Sequence, residues 1–196
     1  MIALDLLVLV LGIIGAIIII GAIVSIIIFN SLITTLKQVE NSWAQIDVQL
    51  KRRADLIPNL VETVKGYAKF EKSVLTEVTR ARTAILSAKS PKESAKANNM
   101  LSGALKSIFA VAESYPTLQA SDNFKALQEE LSSTENKVAF ARQFYNDMVM
   151  KWNTMIAVFP NSIFANMFHM NAPKEFFEAA EGEKKGVKVD FSDLSK

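Results

Sequence analysis

At 196 residues the chain is long enough for one domain with an anchor, and half of its residues are hydrophobic. Its 22 basic and 20 acidic residues nearly cancel, which gives no general attraction to nucleic acid. The lack of cysteine excludes disulfides, thiolate zinc sites and cysteine nucleophiles. The small number of glycines and prolines favours long helices, and we therefore predict an all-α fold.

The N-terminal segment is strongly apolar. Leu6–Phe29 contains only Ser25 and a few glycines besides apolar residues, and no charge occurs between Asp5 and Lys37. As a helix it is about 36 Å long, enough for a hydrocarbon core of ~30 Å. It lacks the basic leader and short apolar run of a signal peptide. We therefore predict a single-pass transmembrane anchor at 1–29 in contact with the lipid bilayer.

Basic residues follow the anchor and predict its orientation. Asp5 precedes the apolar run, whereas Lys37 and then Lys51-Arg52-Arg53 come after it. Because Lys and Arg are enriched on the cytoplasmic side of membranes, we expect the N-terminus outside and the main domain in the cytoplasm.

Small residues recur four apart within the anchor, a spacing that lets two helix backbones approach closely. The spacing leaves two interpretations open: packing of the anchor against a second copy in a homo-oligomer, or simply the high frequency of Gly and Ala in membrane helices. The positions are Gly12, Ala16, Gly21 and Ser25.

A heptad pattern begins at Leu32, with no helix breaker between it and Phe29, so we expect the anchor and the first bundle helix to be continuous. From there, nearly every position reached by alternating spacings of four and three residues is apolar or amphipathic. This 3.5-residue period predicts coiled-coil-like packing. The apolar seams cover 32–88, 97–115 and 124–159.

Proline-containing pairs interrupt the seams at Ser90-Pro91, Tyr115-Pro116 and Phe159-Pro160. One helix over 31–88 would be about 85 Å long, so we expect a fold-back near Gly66 to Glu71. The unbroken heptad phase there leaves one kinked helix as the alternative. The prediction is an antiparallel bundle of about four helices in a domain at 30–160, followed by a C-terminal tail at 161–196. The predicted helices are 31–67, 70–89, 92–114 and 121–158.

Two seam positions, Arg53 and Glu71, are charged. A polar seam residue costs stability and can fix register or partner choice. The alternative is that each lies at a helix end or extends into solvent. The run Lys51-Arg52-Arg53, with Asp47 and Asp55 four residues either side of Lys51, is typical of a solvated face with intrahelical ion pairs.

No residue pattern indicates catalysis. His169 is the single histidine, so a transition-metal site would depend mainly on carboxylates. The sequence has no Gly-rich phosphate loop and no nucleophile elbow. We predict a protein without enzymatic activity, cofactor or metal.

The segment after the anchor resembles the LemA family. The resemblance is most specific over 39–67, centred on a Lys-Arg-Arg-x-Asp-Leu-Ile-Pro-Asn-Leu core, and it is weakest around 90–120. His169-Met170-Asn171 departs from the family pattern, in which a link containing Gly or Lys is more usual. Further matching stretches are 78–82, 141–147, 176–178 and 189–191.

The resemblance implies a bacterial inner-membrane protein with a cytoplasmic helical bundle and no agreed biochemical activity. A relative in magnetotactic bacteria takes part in forming magnetosome membranes, so the family suggests a role in membrane organisation. Two functions remain open: a self-assembling protein that organises or shapes the membrane, and a monomeric adaptor that recruits another membrane protein. The candidate interaction or register residues are Arg52, Arg53, Asp55, Pro58, Asn59 and Glu71.

Overall fold

The computed structural model describes residues 2–66 and 72–178, and within them the chain forms six helices and no strand. The all-α prediction is confirmed, and the anchor and first bundle helix are continuous, as expected. The short helices α4 and α6 were not anticipated. The elements are α1 (Ile2–Lys65), α2 (Lys72–Ser87), α3 (Pro91–Ala112), α4 (Pro116–Ala120), α5 (Asp122–Ala157) and α6 (Asn161–Met167).

The chain folds back between α1 and α2. The Arg82 Nε donates to the Ala54 carbonyl oxygen at 3.0 Å, although the two residues are 28 apart in sequence. In one continuous helix they would be about 42 Å apart. The fold-back prediction is therefore correct, and the single kinked helix is excluded. Glu71 itself lies outside the described residues.

A capping box begins α3, where the sequence predicted a helix stop and restart. The Ser90 side chain accepts from the Glu93 backbone N–H at 3.2 Å, and the Glu93 carboxylate accepts from the Lys89 N–H at 2.8 Å. Pro91 occupies the first turn, where its missing N–H has no helical partner to lose. These contacts fix the short turn that leads from α2 into α3, which pack against each other.

The chain divides into two compact units, each built from two separate segments. The anchor unit comprises Met1–Ser42 and Asn146–Lys174. In it the apolar span of α1 is unburied except for Ile28 near its end, and the next turns of α1 contribute to a small core with the end of α5 and with α6. The Lys151 ammonium donates to the Gln38 side-chain oxygen at 3.2 Å, which joins α5 to α1. The buried residues are Ile28, Leu32, Thr35, Val39, Ser42, Val149, Trp152, Ile156 and Ala165.

The bundle unit comprises Trp43–Tyr145 and Glu175–Lys196, of which the structure describes 43–66, 72–145 and 175–178. In it α1 and α5 run antiparallel, since Trp43 contacts Tyr145 and Arg52 pairs with Glu130. Burial follows the predicted seams. Buried seam residues include Ile46, Leu50, Ile57, Leu60, Val64, Val78, Ala81, Ile85, Leu101, Ala104, Ile108, Leu131, Thr134 and Val138.

The seam prediction is wrong at Phe159, whose side chain is 80 % exposed. The reason is that α5 ends at Ala157, so the heptad phase no longer governs which way Phe159 points.

Candidate functional site

Arg53 lies at the centre of a buried polar cluster in the bundle unit. Its side chain is 0 % exposed, so the alternative in which it extends into solvent is wrong. The guanidinium donates to Asn98 Oδ1 at 2.7 Å, to Ser102 Oγ at 3.1 Å and to Glu135 Oε2 at 3.0 Å. Ser102 Oγ in turn donates to Glu135 Oε1 at 2.8 Å. These four residues, the Arg53 cluster, link α1, α3 and α5.

The electrostatics of the cluster combine a buried cation with a half-exposed anion. Burial lowers the pKa of the Arg53 guanidinium, and the Glu135 carboxylate partly offsets this. An arginine nevertheless keeps its charge in a protein. Among the described residues, the Arg53 Nε and the Gln49 Oε1 are buried polar atoms without a partner. With Arg53 held by three acceptors and no reactive group beside it, the cluster is suited to fixing helix positions rather than to chemistry.

Pro58 and Arg82 form a second polar contact between helices. Proline has no N–H, so the carbonyl of Ala54, four residues earlier, loses its usual helical donor. Ala54 is fully buried, and the Arg82 Nε supplies the missing hydrogen bond at 3.0 Å. The proline inside α1 therefore creates an acceptor that α2 uses, which ties the position of α2 to that of α1.

The remaining candidates lie on the surface. Arg52 is exposed and pairs with Glu130 of α5. Asp55, Pro58 and Asn59 are also exposed. Lys51 pairs with Asp47 at 2.6 Å, as the spacing predicted. The expectation of one solvated basic face at Lys51-Arg52-Arg53 is thus wrong at Arg53, because that position belongs to the seam and faces inward.

Weak signals for the partners of these residues are present in the sequence. Asn98 and Ser102 are four apart on α3, so they share a helix face that also carries seam residues. The signal for Arg82 was Pro58 itself, since a proline in a helix interior requires a donor from elsewhere when the orphaned carbonyl is buried.

An aromatic contact closes one end of the bundle unit. Trp43 lies 5.5 Å from Tyr145 and 6.4 Å from the buried Phe177, measured between ring centroids. The Tyr145 hydroxyl donates to the Glu175 carbonyl oxygen at 2.8 Å. Burial, and then the Glu175 charge, raise the pKa of Tyr145 to about 12. The contact holds the segment at 175–178 against the bundle.

The bundle unit also exposes an apolar strip made of Ala44 and Val48 on α1 and Phe140 and Phe144 on α5. The exposed fractions of Val48, Phe140 and Phe144 are 58 %, 74 % and 45 %. A groove of about 450 Å³ lies between the two helices, lined by Ala44, Gln45, Val48, Gln49, Lys137 and Phe140. Large apolar side chains gathered at one place on a surface are typical of interaction sites.

A sequence profile of the LemA family matches residues 42–191. The chain belongs to the LemA family. Protein LemA of Metamycoplasma hominis is 27 % identical over 169 residues, which cover 84 % of this chain and 74 % of that protein. Magnetosome protein MamQ 2 of Paramagnetospirillum magneticum is 24 % identical over 181 residues, and magnetosome protein MamQ of Magnetospirillum gryphiswaldense is 23 % identical over the same length. In both cases the alignment covers 79 % of this chain and 66 % of the relative.

The LemA match begins one residue before the bundle unit and includes all of the features above. The family and these relatives make this chain a membrane-associated helical protein, and none of their names states an enzymatic activity. Among the described residues, no three His, Asp or Glu side chains are grouped closely enough to hold a metal ion.

The small residues of the anchor precede the LemA match. A Cβ added at Gly12 or Gly21 would meet no atom of the described chain within 4 Å, and Ala16 is exposed. The Ser25 hydroxyl donates to the Gly21 carbonyl at 2.7 Å, so Ser25 needs no partner from another helix in order to lie in lipid. All four positions are open to lipid or to a second anchor, Gly12 and Ala16 on one face of α1 and Gly21 and Ser25 on the opposite face.

Proposed function

We propose that this LemA-family protein is a membrane-anchored, non-enzymatic scaffold that self-assembles through its bundle and so organises or shapes the membrane. The observation that carries the proposal is the apolar strip, whose large side chains remain exposed although the bundle core is complete without them. Assembly of identical chains would cover the strip, and each copy would add its membrane anchor to the assembly.

The strip has the form that a contact between two identical copies requires. In a twofold contact the same surface must supply both the protruding and the receiving part. Phe140 protrudes and is 74 % exposed, and the groove of about 450 Å³ lies directly beside it. Copies in one bilayer also meet at high effective concentration, which favours weak contacts between them.

The anchor offers a separate contact for self-assembly. Either Gly12 with Ala16 or Gly21 with Ser25, which lie on opposite faces of α1, leaves space for a second backbone, and association through such spacings depends on close van der Waals packing.

The decisive experiment measures the mass of the full chain in native-lipid particles. The expected result is a species larger than the monomer, which Phe140→Glu and Val48→Glu convert to a smaller species because a charge is introduced into the contact. Leu86→Glu is the matched control, since Leu86 is an exposed apolar residue of α2 outside the strip. It is expected to leave the mass unchanged.

A uniform monomer, with no self-crosslink from a photoreactive residue at position 140 in cells, would overturn the scaffold. If that same probe crosslinks to a different membrane protein, the strip serves the adaptor function instead. An unchanged assembly in both glutamate variants would show that the strip is not the contact.

The orientation that we propose is N-terminus outside and bundle in the cytoplasm. Lys151 supports it because its bond to Gln38 of α1 adds a second basic residue, besides Lys37, on the bundle side of the apolar span. A Lys106→Cys variant tests this, because the native chain has no other thiol and Lys106 is exposed. A membrane-impermeant maleimide should label it in inverted vesicles and not in intact cells; labelling in intact cells would reverse the topology.

A further inference from the structure

The anchor unit contains a second long stretch without formal charge. Between Lys151 and Lys174, residues 152–173 include no Asp, Glu, Lys or Arg, and His169 is their only titratable side chain. In this chain the other stretch of that kind is 6–36, which contains the membrane anchor. The second stretch covers the last turns of α5, the whole of α6 and the turn after it.

The fold of the anchor unit brings these two stretches together. The ring of Phe168 meets that of Phe29 edge-on at 4.8 Å between centroids, and Phe164 stacks on Phe168 at 6.5 Å. Phe29 is the last residue of the apolar span of α1, where the hydrocarbon core gives way to the headgroup layer. Helix α6 is therefore held at the level of the bilayer surface.

The side chains that α6 and its preceding loop expose are large and apolar. Phe159 is 80 % exposed and Val158 is 44 % exposed. Ile163 and Met167, four apart on one face of α6, are 57 % and 56 % exposed. Within the part of the anchor unit that the structure describes, nothing covers this group, whereas the opposite side of α6 buries Ala165.

The polar groups of this region are mostly satisfied without water. The Asn166 side chain donates to the Ser162 carbonyl at 2.9 Å and accepts from the Asn171 amide at 2.7 Å. The Met170 N–H donates to the Ala165 carbonyl at 2.7 Å, which closes the end of α6. Polar groups that are already bonded within the chain lose less when a segment leaves water, so these bonds lower the cost of entering the lipid interface.

Lysines border the region. Lys151 bonds to Gln38 beside Lys37, and the Lys174 backbone is held by the Asn153 side chain through N–H and carbonyl at 2.8 and 3.0 Å. Lysine next to an apolar surface is suited to the headgroup layer, where its ammonium meets phosphate and its stem meets acyl chains.

We propose that residues 158–167 form a lipid-binding foot, a monotopic element that inserts its apolar face into the interface of the bilayer that α1 crosses. The foot adjoins the lipid-facing surface of the anchor through the contacts of Phe168 with Phe29 and of Phe164 with Phe168. An apolar helical face bordered by lysines is the pattern of interfacial helices. The inference needs only the membrane anchor, and it holds whether or not the chain self-assembles.

The absence of native cysteine allows a direct test by single spin labels. Phe159→Cys and Ile163→Cys report on the foot, and Leu86→Cys, at an exposed apolar residue of α2 in the bundle unit and outside the strip, is the matched control. The labelled full-length chain is reconstituted at low density in vesicles of phosphatidylcholine and phosphatidylglycerol. Collision rates are then measured with oxygen, which concentrates in lipid, and with a water-soluble nickel chelate.

The expected result is a several-fold higher ratio of oxygen to nickel collisions at positions 159 and 163 than at position 86, unchanged when the protein is diluted further with lipid. An equal ratio at all three positions would overturn the proposal. A high oxygen-to-nickel ratio that disappears on dilution with lipid would also overturn the proposal, because the apolar face of α6 would then be covered by a second copy of the chain and not by lipid. A label at Met167→Cys repeats the measurement on the same face of α6, should one of the first two substitutions disturb the fold.

Discussion

The hydrogen bond from Arg82 to the carbonyl that Pro58 leaves without a helical donor allows a quantitative prediction of stability. Replacing Arg82 with alanine removes the donor to the Ala54 carbonyl, and Pro58 has no N–H with which to replace it. Because Ala54 is 0 % exposed, water cannot take over the bond, and an unpaired buried acceptor costs about 1–3 kcal/mol. We expect Arg82→Ala to lower the free energy of unfolding by about 2 kcal/mol.

The same change should cost less when Pro58 is first replaced by alanine. The new N–H at position 58 can donate to the Ala54 carbonyl within α1, so that the carbonyl keeps a partner without Arg82. The two substitutions should therefore be coupled by roughly 1–2 kcal/mol in a double-mutant cycle. The gain in helix propensity from Pro58→Ala alone cancels in such a cycle, because it is present in both members of the pair.

The assay is urea unfolding of the four full-length proteins in mild detergent, followed by helical circular dichroism, with the midpoint and slope compared across the set. Arg80→Ala serves as the control, since Arg80 is an exposed arginine on the same helix, and its loss should change stability by less than about 0.5 kcal/mol. An equal cost of Arg82→Ala in both backgrounds would refute the reasoning, because the carbonyl would then not depend on the proline.

Three further predictions concern single residues. Arg53→Ala should lower the free energy of unfolding by about 3 kcal/mol, the low end of the 3–5 kcal/mol of a fully buried pair, because Glu135 is half exposed. Arg52→Ala, at an exposed ion pair, should lower it by about 1 kcal/mol or less. Similar urea midpoints for the two variants would contradict the burial of Arg53. The folded-state pKa of Tyr145 lies above its ordinary value, so the stability that the neutral phenol contributes is complete below about pH 10 and is lost as the pH rises toward 12. Tyr145→Phe should therefore weaken the dependence of the unfolding free energy on pH in that window. The same pH profile in the variant and the native protein would contradict this role of Tyr145. His169 has a φ of 56°, a left-handed conformation that suits glycine, so His169→Gly should raise the unfolding free energy by roughly 0.5–1 kcal/mol and His169→Val should lower it, as thermal unfolding would measure.

Sequence periodicity was sufficient for the helices and for most of the core. Seam positions such as Leu32, Ile46 and Leu131 are buried because a 3.5-residue repeat keeps one face of a helix against its neighbours. Arg53 was correctly singled out on the seam, and its inward direction follows from the same repeat. Its partners were beyond reach, because which side chains of α3 and α5 meet Arg53 depends on the relative rise of three helices.

The foot was missed for a different reason. Phe159 follows the heptad phase, so the pattern predicted a buried position, and only the end of α5 at Ala157 releases it. His169 shows the same limit: the departure from the family pattern was visible, but the left-handed turn that it occupies was not. The pair Phe159-Pro160 predicted the end of the helix, but the direction of the chain after it depends on tertiary contacts such as that between Phe168 and Phe29.

The order in which the chain visits its two units has a practical consequence for anyone who wishes to study a soluble fragment. The segments of the two units alternate along the chain. The anchor unit consists of 1–42 and 146–174, and the bundle unit consists of 43–145 and the residues from 175 onward. No contiguous stretch of sequence reproduces either one. A fragment that starts at residue 43 to remove the membrane span would strip the α1 residues from the first unit and leave Val149, Trp152 and Ile156 without their companions, whereas one that starts just before Ile28 retains them. The aggregation expected of the shorter fragment, and the better behaviour of the longer one, would come from where the chain was cut rather than from any weakness of the bundle.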